Sequence, residues 1–298
     1  MKSRYSGIRR LAAVIPAAAL GVFVAGQVMA AAGEAVDGAI GMQPGVTQIR
    51  RDQITFHDHI LLPIIVAITV LVLALLITVV LRFNKRANPT PARWSHNTPV
   101  EVAWTVMPVL ILMFVAIFSF KLLFEEHDMP KPYMTVKVTG RQWNWDYAYP
   151  DQKIDAITST LMTEPDAKAK GLVYKLAANA PMIVPVNQVV RVDVTGEDVI
   201  HSFSVPAFGI KIDAVPGRLN ETWFKAEKTG TYYGACSQLC GIDHAFMPIM
   251  VNVVSQADFD AWAASKAPKP AAPTAAAPTA APAVTAAVAA KTAPAAAH

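Results

Sequence analysis

Two long apolar stretches constrain the fold of this 298-residue chain more than any other feature of its sequence. They cover residues 60–81 and 102–123. At about 1.5 Å per residue, either stretch is long enough to cross a hydrocarbon core of roughly 30 Å as a helix. Lipid allows only helices and closed barrels to span it, because every backbone polar group must be satisfied internally. The sequence therefore predicts a transmembrane helical hairpin over residues 60–123, with Pro108 tolerated inside its second helix.

The charged residues between the two stretches predict how the hairpin is oriented. Arg82, Lys85, Arg86 and Arg93 lie in the connecting loop, which the positive-inside rule assigns to the cytoplasm. This predicts a multi-pass membrane protein with its later domain and both termini outside the cytoplasm. Together with a bacterial-type export signal at the front, the expected location is a bacterial inner membrane, with the later domain and both termini on the periplasmic side. An apolar content of 53% disfavours a soluble protein. The net charge of +4 comes without an arginine-rich patch interleaved with aromatics, which excludes nucleic-acid binding.

Residues 1–30 have the pattern of a secretory signal peptide. Basic residues at the start precede an apolar run over residues 11–26, and small residues surround Ala30, where cleavage is expected. The alternative is a further transmembrane helix, but the apolar run is short and Pro16 interrupts it. After cleavage, residues 31–59 would form an extracytoplasmic segment before the hairpin.

Beyond residue 130 the pattern changes to short strands separated by turn signals. Residues 134–139 and 188–194 alternate apolar and polar side chains, as half-buried strands do. Several such strands without intervening helices predict a β-sandwich over residues 130–265, and Ser255 is the expected N-cap of a short final helix. Residues 266–298 are almost only Ala, Pro, Thr and Lys, which predicts a disordered tail. The predicted class is a membrane-anchored all-β protein.

Both cysteines of the chain lie in one short loop together with a histidine and a methionine. The loop residues are Cys236, Cys240, His244 and Met247, and His201 lies upstream in a strand-like run. Thiolate, imidazole and thioether groups select copper, and a single blue-copper centre uses only one cysteine. The second cysteine therefore suggests two metal ions. The alternative is a small-loop disulfide with Met247 as a core filler, but the additional His201 favours metal.

Four aromatic residues at alternate positions follow the first predicted strand. Trp143, Trp145, Tyr147 and Tyr149 would share one face of an extended segment. We expect at least two of them in the sandwich core. A ring that stays at the surface near the metal loop would offer a docking anchor and a route for electrons. Spacing does not decide between Trp143 and Trp145 for this role.

Glu101 lies at the cytoplasmic mouth of the second apolar stretch, near Trp104. The helix dipole favours a carboxylate at the start of a helix, which would make Glu101 a structural residue. Ionisable groups at membrane depth also often mark proton paths. The sequence leaves both interpretations open.

The order of these motifs resembles subunit II of haem-copper cytochrome c oxidase. The match runs from about residue 53 to residue 254, and so many motifs in one order make it specific. The matching segments are Phe56-His57-Asp58-His59, Val100-Glu101-Val102-Ala103-Trp104-Thr105, Gln142-Trp143-Asn144-Trp145, Glu197-Asp198-Val199-Ile200-His201-Ser202-Phe203, Asp213-Ala214-Val215-Pro216-Gly217-Arg218-Leu219-Asn220, and the cysteine loop.

The resemblance implies a cupredoxin-like domain that carries a binuclear copper centre, named CuA. The implied ligands are two bridging thiolates, two imidazoles, a weak thioether and a backbone carbonyl, from Cys236 and Cys240, His201 and His244, Met247, and Gln238 respectively. Two bridging thiolates spread one unpaired electron over both ions, so that little geometry need rearrange on oxidation. The small change in charge suits fast electron transfer in a site of low dielectric constant.

Gln238 departs from the family, which usually has glutamate at this position and uses its side chain on a Mg²⁺ ion at the boundary with subunit I. A neutral amide is a poorer ligand for a hard cation than a carboxylate. The implied copper role uses only the backbone of Gln238 and is unaffected. The resemblance therefore leaves Mg²⁺ binding open.

The resemblance also implies roles outside the copper site. Trp143 would receive electrons from reduced cytochrome c, and Glu101 would mark the entrance of a proton path into subunit I. Subunits I and III and membrane lipid would be the neighbours of the hairpin. Five acids could face lysines of cytochrome c, namely Asp146, Asp151, Glu197, Asp198 and Asp213. Most exposed carboxylates, however, only contact solvent.

The implied function is that of the electron-accepting subunit of cytochrome-c oxidase. Electrons would pass from cytochrome c to haem in subunit I, where oxygen is reduced to water and protons are pumped. The chain has no Cys-x-x-Cys-His motif, so no covalent haem is expected in it. One alternative is a quinol oxidase subunit, which shares the fold but lacks this ligand set. The other is a membrane-tethered structural or copper-carrying sandwich whose two cysteines form a disulfide.

Overall fold

The computed structural model describes residues 33–36 and 38–267. The predicted signal peptide and the predicted tail from residue 268 onward lie outside the described residues. Within these residues, two long helices precede a two-sheet β-sandwich, which confirms the predicted fold class.

The described part of the chain contains two helices long and apolar enough to span a membrane. The first is continuous and comprises α1 (Gln48–Phe56), a π-helical turn (His57–Leu61) and α2 (Leu62–Arg82), while the second is α3 (Thr98–His127). No residue of α2 or α3 is buried. Helices that are apolar on all sides need lipid or other membrane helices around them.

The first helix begins 12 residues before the apolar stretch that predicts it. Thr47 caps it, because its Oγ1 accepts a hydrogen bond from the N–H of Arg50 at 3.1 Å and donates one to the carbonyl of Phe208 at 2.8 Å. Phe208 belongs to the sandwich core. The start of the first helix, before the apolar stretch, is therefore held by contacts with the sandwich and not by an apolar pattern in its own sequence.

The sandwich consists of two five-stranded sheets. In spatial order, the first sheet contains β3 (Ile154–Ser159), β2 (Asn144–Tyr149), β1 (Met134–Arg141), β5 (Val190–Gly196) and β8 (Asn220–Phe224). The second contains β4 (Met182–Pro185), β10 (Pro248–Val254), β9 (Gly230–Cys236), β6 (His201–Val205) and β7 (Ile210–Ala214). The β1–β5 and β4–β10 pairs are parallel and the others antiparallel.

Aromatic residues fill the core between the sheets. Trp145, Tyr147 and Tyr149 are buried, so three of the four alternating aromatics are core residues. The rings of Trp145 and Tyr147 both meet Phe203 edge-on, with centroids 5.5 and 6.5 Å away. Edge-to-face packing of this kind stabilises a core beyond simple area burial. Trp143 remains half-buried.

Two short helices accompany the strands. α4 (Glu164–Ala169) lies between β3 and β4, and α5 (Gln256–Lys266) follows β10. Ser255 caps α5 by accepting a hydrogen bond from the N–H of Asp258 at 3.1 Å, as the sequence predicted.

Hydrogen bonds tie one end of each long helix to the sandwich. Gln53 Nε2 donates to a carboxylate oxygen of Glu126 and to the carbonyl of Gly209, both at 2.8 Å. The indole N–H of Trp223 in β8 donates to the carbonyl of Glu126 at 3.0 Å. The sandwich is therefore held directly above one end of the hairpin.

Candidate metal centre

The candidate centre lies where two neighbouring strands of the second sheet end. β6 begins at His201, and β9 ends at Cys236. The two strands pair antiparallel with Phe203 opposite Cys236, which brings the start of one beside the end of the other. Two residues that are 35 positions apart in the sequence thus meet because of strand register.

The two cysteines are buried and unbonded to each other. Their Sγ atoms lie 3.8 Å apart, far beyond the roughly 2.05 Å of a disulfide. The Nδ1 of His244 lies 3.5 Å from the Sγ of Cys240. Burial and the neighbouring Cys236 thiol raise the pKa of Cys240 to about 12. A metal ion that binds Cys240 must therefore displace the proton of a thiol that is otherwise neutral.

His201 presents a free nitrogen to the two thiols. Its ring is fully buried, and its Nε2 lies 2.9 Å from the Oδ1 of Asp198. A carboxylate accepts hydrogen bonds, so Nε2 is the donor, and in the neutral imidazole this leaves a lone pair on Nδ1. Nδ1 has no hydrogen-bond partner among the described residues. The donor atoms of His201, Cys236 and Cys240 all lie within 4.8 Å of one another, an arrangement that fits thiolate-bound copper.

The remaining predicted ligands belong to the same loop. The carbonyl oxygen of Gln238 lies 3.3 Å from the Sγ of Cys236, while its amide side chain is exposed. Met247 is buried, and its carbonyl accepts the N–H of Cys236 at 3.1 Å. The fold thus gathers all six predicted ligand residues in one region, although the three-donor cluster does not include His244.

Asp198 is a hydrogen-bond acceptor for three groups around the centre. Besides Nε2 of His201, it accepts the backbone N–H of Gln142 at 2.7 Å and that of Val199 at 2.6 Å. Partial burial alone would raise the pKa of Asp198, but these hydrogen bonds lower it below its ordinary value. A carboxylate that fixes a ligand histidine is a common feature around metals in proteins. The sequence alone predicted only a docking role for this residue.

Trp143 and Gln142 both contact the cysteine loop. The indole N–H of Trp143 donates to the carbonyl of Cys240 at 3.3 Å, and the Gln142 amide donates to the same oxygen at 2.8 Å. Gly241 makes this approach possible, since a Cβ there would lie 3.0 Å from the Trp143 ring and its φ is +129°. Trp145 is instead fully buried against His201, with ring centroids 6.0 Å apart.

The predicted docking acids have different surroundings. Asp146 is only 5% exposed and pairs with Arg141 at 3.1 Å, and Glu197 pairs with the same arginine. Asp151 accepts the backbone N–H of Thr135 at 2.7 Å, and Asp213 is exposed. Glu197 and Asp198 directly follow β5, and Asp198 bonds to His201 of the candidate centre.

Glu101 lies in the first turn of α3, in the other half of the chain. Its carboxylate accepts the N–H of Asn97 at 3.1 Å, while the Asn97 side chain accepts the N–H of Val100 at 3.3 Å. These reciprocal bonds satisfy two free donors at the helix start. The structural interpretation of Glu101 therefore has a specific contact, and the carboxylate remains partly accessible.

The fold and the donor cluster together define a membrane-anchored β-sandwich with a candidate site for a thiolate-binding metal. The family model "Cytochrome C oxidase subunit II, periplasmic domain" matches residues 134–254, and "Cytochrome C oxidase subunit II, transmembrane domain" matches residues 35–122. The chain belongs to the cytochrome c oxidase subunit II family.

Named relatives agree with this assignment. The chain is 46% identical over 237 residues to a probable cytochrome c oxidase subunit 2 of Rickettsia bellii, covering 79% of this chain and 87% of the relative. It is 44% identical over 242 residues to cytochrome c oxidase subunit 2 of Cereibacter sphaeroides, covering 76% and 79%. A crystal structure of the periplasmic domain of subunit II of cytochrome oxidase from Bradyrhizobium japonicum is 52% identical, covers 46% of this chain and 96% of that chain, and has a TM-score of 0.42.

Proposed function

We propose that this chain is the electron-accepting subunit of a cytochrome c oxidase in a bacterial inner membrane. It receives single electrons from cytochrome c on the periplasmic side and passes them to haem in subunit I, where oxygen is reduced to water and protons are pumped. The observation that carries the proposal is the pair of free thiols 3.8 Å apart beside the Nδ1 of the buried His201, which has no hydrogen-bond partner within residues 33–36 and 38–267.

The residues of the cysteine loop and β6 fit a binuclear copper centre. A copper pair held here would supply a one-electron acceptor whose change in charge is shared between two ions. The residues that would hold it are Cys236, Cys240, His201, His244, Met247 and the backbone carbonyl of Gln238. An Mg²⁺ ion at the boundary with subunit I would meet an amide from Gln238, which is a weaker ligand than a carboxylate.

The chain contributes rigidity and low polarity to this site. Cys236, Cys240 and Met247 are nearly inaccessible, so water is excluded from one side of the ligand set. Asp198 holds the His201 ring in one tautomer and orientation before metal arrives. Ligands that are fixed in advance rearrange little when the charge of the site changes, which favours rapid electron transfer.

Trp143 is the proposed residue through which electrons arrive. It is the only one of the four alternating aromatics outside the buried core, and its indole N–H reaches the carbonyl of the ligand residue Cys240. This contact provides a short route of one hydrogen bond and a few covalent bonds from the indole to a thiolate. The buried Trp145 supports His201 from the core instead.

Exposed acids would steer a basic cytochrome c toward Trp143. Glu197, Asp198, Asp151 and Asp213 retain exposed carboxylate surface, whereas the carboxylate of Asp146 is used in its internal pair with Arg141. Steering by charge predicts an association rate that falls as ionic strength rises. Replacing Glu197, Asp151 and Asp213 by amides should flatten that dependence, and an unchanged salt slope would contradict this docking role.

The experiment that tests the function measures copper in the purified full-length chain together with the subunits that accompany it. We expect two copper ions per chain and a paramagnetic resonance spectrum of one electron shared by two copper nuclei. Cys236→Ser should abolish that spectrum, while Ser237→Ala, which alters an exposed neighbour, should leave it intact. One copper ion, or a disulfide without copper, would leave the tethered-sandwich alternative.

A further inference from the structure

An amphipathic cleft lies between the two long helices at the end that carries the sandwich. Its volume is about 650 Å³, within the roughly 300–1,000 Å³ typical of small-molecule sites. α1 and the following π-helical turn form one wall, the last turns of α3 form the other, and Trp223 from β8 also contributes to the lining. Trp223 is anchored by its hydrogen bond to Glu126. The cleft is therefore framed by all three parts of the chain.

The lining of the cleft contains both apolar and polar residues. Its apolar part includes Phe56, Ile60, Phe118 and Leu122. Its polar part consists of Gln48, Asp52, Lys121, Glu125 and Asp128. An amphiphile at a membrane surface offers a partner to each part, with acyl chains for the apolar residues and a headgroup for the polar ones.

The charges of the polar part are unequal. Three carboxylates from Asp52, Glu125 and Asp128 stand against the one ammonium of Lys121, which gives −3 + 1 = −2. Lys121 is 76% exposed and only loosely paired with Glu125 at 3.7 Å, so its ammonium can turn to another anion. A headgroup that carries one phosphate and one ammonium complements this set, whereas a purely anionic headgroup is repelled.

We propose that this cleft binds one zwitterionic phospholipid with a primary amine, of the phosphatidylethanolamine class. Its phosphate contacts Lys121, its ammonium lies among the three carboxylates, and an acyl chain packs against Phe118 and Ile60. The lipid fills the gap between the helices beneath the sandwich. This proposal rests on the membrane anchor and is independent of copper.

The test counts lipids bound to the tagged full-length chain, purified from membranes with its accompanying subunits and stripped with detergent. The sample is titrated with dioleoylphosphatidylethanolamine or dioleoylphosphatidylglycerol, and native mass spectrometry follows the bound copies. We expect one copy of the ethanolamine lipid to bind roughly tenfold more tightly than the glycerol lipid, because the latter lacks the ammonium. Equal binding of the two lipids would overturn the proposal.

Matched variants locate the bound copy. Leu122→Trp fills the cleft and should abolish this copy, while Leu123→Trp places the same bulk on a residue outside the lining and should retain it. The double variant Asp52→Asn/Glu125→Gln keeps the shape and should bring the two lipids to within about twofold of each other. Retention of the copy in Leu122→Trp, or of full selectivity in the double variant, would show that a different surface, such as that of a partner subunit, holds the lipid. Copper content serves as a check that the sandwich is intact.

Discussion

The sandwich buries its apolar side chains within the chain, whereas the helical hairpin leaves its apolar side chains exposed. In the sandwich, a continuous core of aromatic and branched residues is buried, and the Cys240 carbonyl in the cysteine loop accepts hydrogen bonds from Gln142 and Trp143, which are far away in the sequence. In α2 and α3 no residue is buried. The sandwich therefore completes its own site, whereas the hairpin requires partners outside the chain.

This difference indicates which property of the protein a substitution in each region should change. Changes in the sandwich should alter stability or the metal site through contacts within the chain. Changes on the hairpin should act through lipid, partner subunits or protons, and should leave the metal site unchanged. The predictions below test that division, beginning with the largest expected effect.

Removing a core ring should destabilise the sandwich strongly. Phe224 is 1% exposed and stacks on Phe208 with ring centroids 4.5 Å apart. We expect Phe224→Ala to cost about 3–5 kcal/mol of folding free energy, seen as a large fall in the Tm of the purified protein in detergent. Leu76→Ala, at a position 58% exposed on α2, should change the Tm little. Similar decreases in Tm for the two variants would contradict the difference between the buried sandwich core and the exposed hairpin.

Asp198→Asn should weaken metal binding without unfolding the sandwich. The amide cannot supply the charged acceptor that fixes Nε2 of His201, and loss of such a partner typically costs roughly 10- to 100-fold in metal affinity. Competition with a copper chelator measures the change. Asp213→Asn removes an equal charge from an exposed site and should have the copper affinity of the unaltered chain, if the proposed centre forms. Equal retention by both variants would assign Asp198 to docking alone.

Gln142→Ala should slow electron arrival while leaving the centre assembled. It removes one of the two donors on the Cys240 carbonyl and frees the segment that carries Trp143. A net hydrogen-bond contribution of about 1 kcal/mol corresponds to a several-fold lower kcat, with KM for cytochrome c unchanged. The matched control is Gln188→Ala, whose amide bonds to Gln256 instead. An altered copper spectrum in Gln142→Ala would point to a ligand-supporting role instead.

Much of the fold follows from local sequence patterns. The apolar stretches predict both spans, and strand alternation predicts the sandwich. The extension of the first helix back to Gln48 was not predicted, because its residues are polar and the helix is held by Thr47 and the sandwich. Burial of Asp146 was also not predicted, since the ion pair with Arg141 depends on the pairing of β1 with β2.

The candidate site was predictable in part for a similar reason. Cys236, Cys240, His244 and Met247 stand close in the sequence, so their chemistry is visible there. The bonds that support them join residues from distant segments, as in the contact of Gln142 with Cys240, 98 positions away. No spacing rule reports such contacts. Only strand register, which the structure supplies, brings these groups together.

The smallest expected effect concerns Glu101, whose substitution tests whether the hairpin acts through protons or only through folding. Glu101→Gln keeps an oxygen that can accept the N–H of Asn97 but removes the ionisable group, whereas Glu101→Ala removes both. If Glu101 collects protons, both variants should slow turnover by a similar few-fold factor with the copper spectrum unaltered. If it only completes the helix start, the glutamine variant should turn over normally, and the alanine variant should lose about 1 kcal/mol of stability. Oxygen-consumption rates together with Tm values separate the two outcomes, because a proton-collecting group acts on rate and a capping group acts on folding.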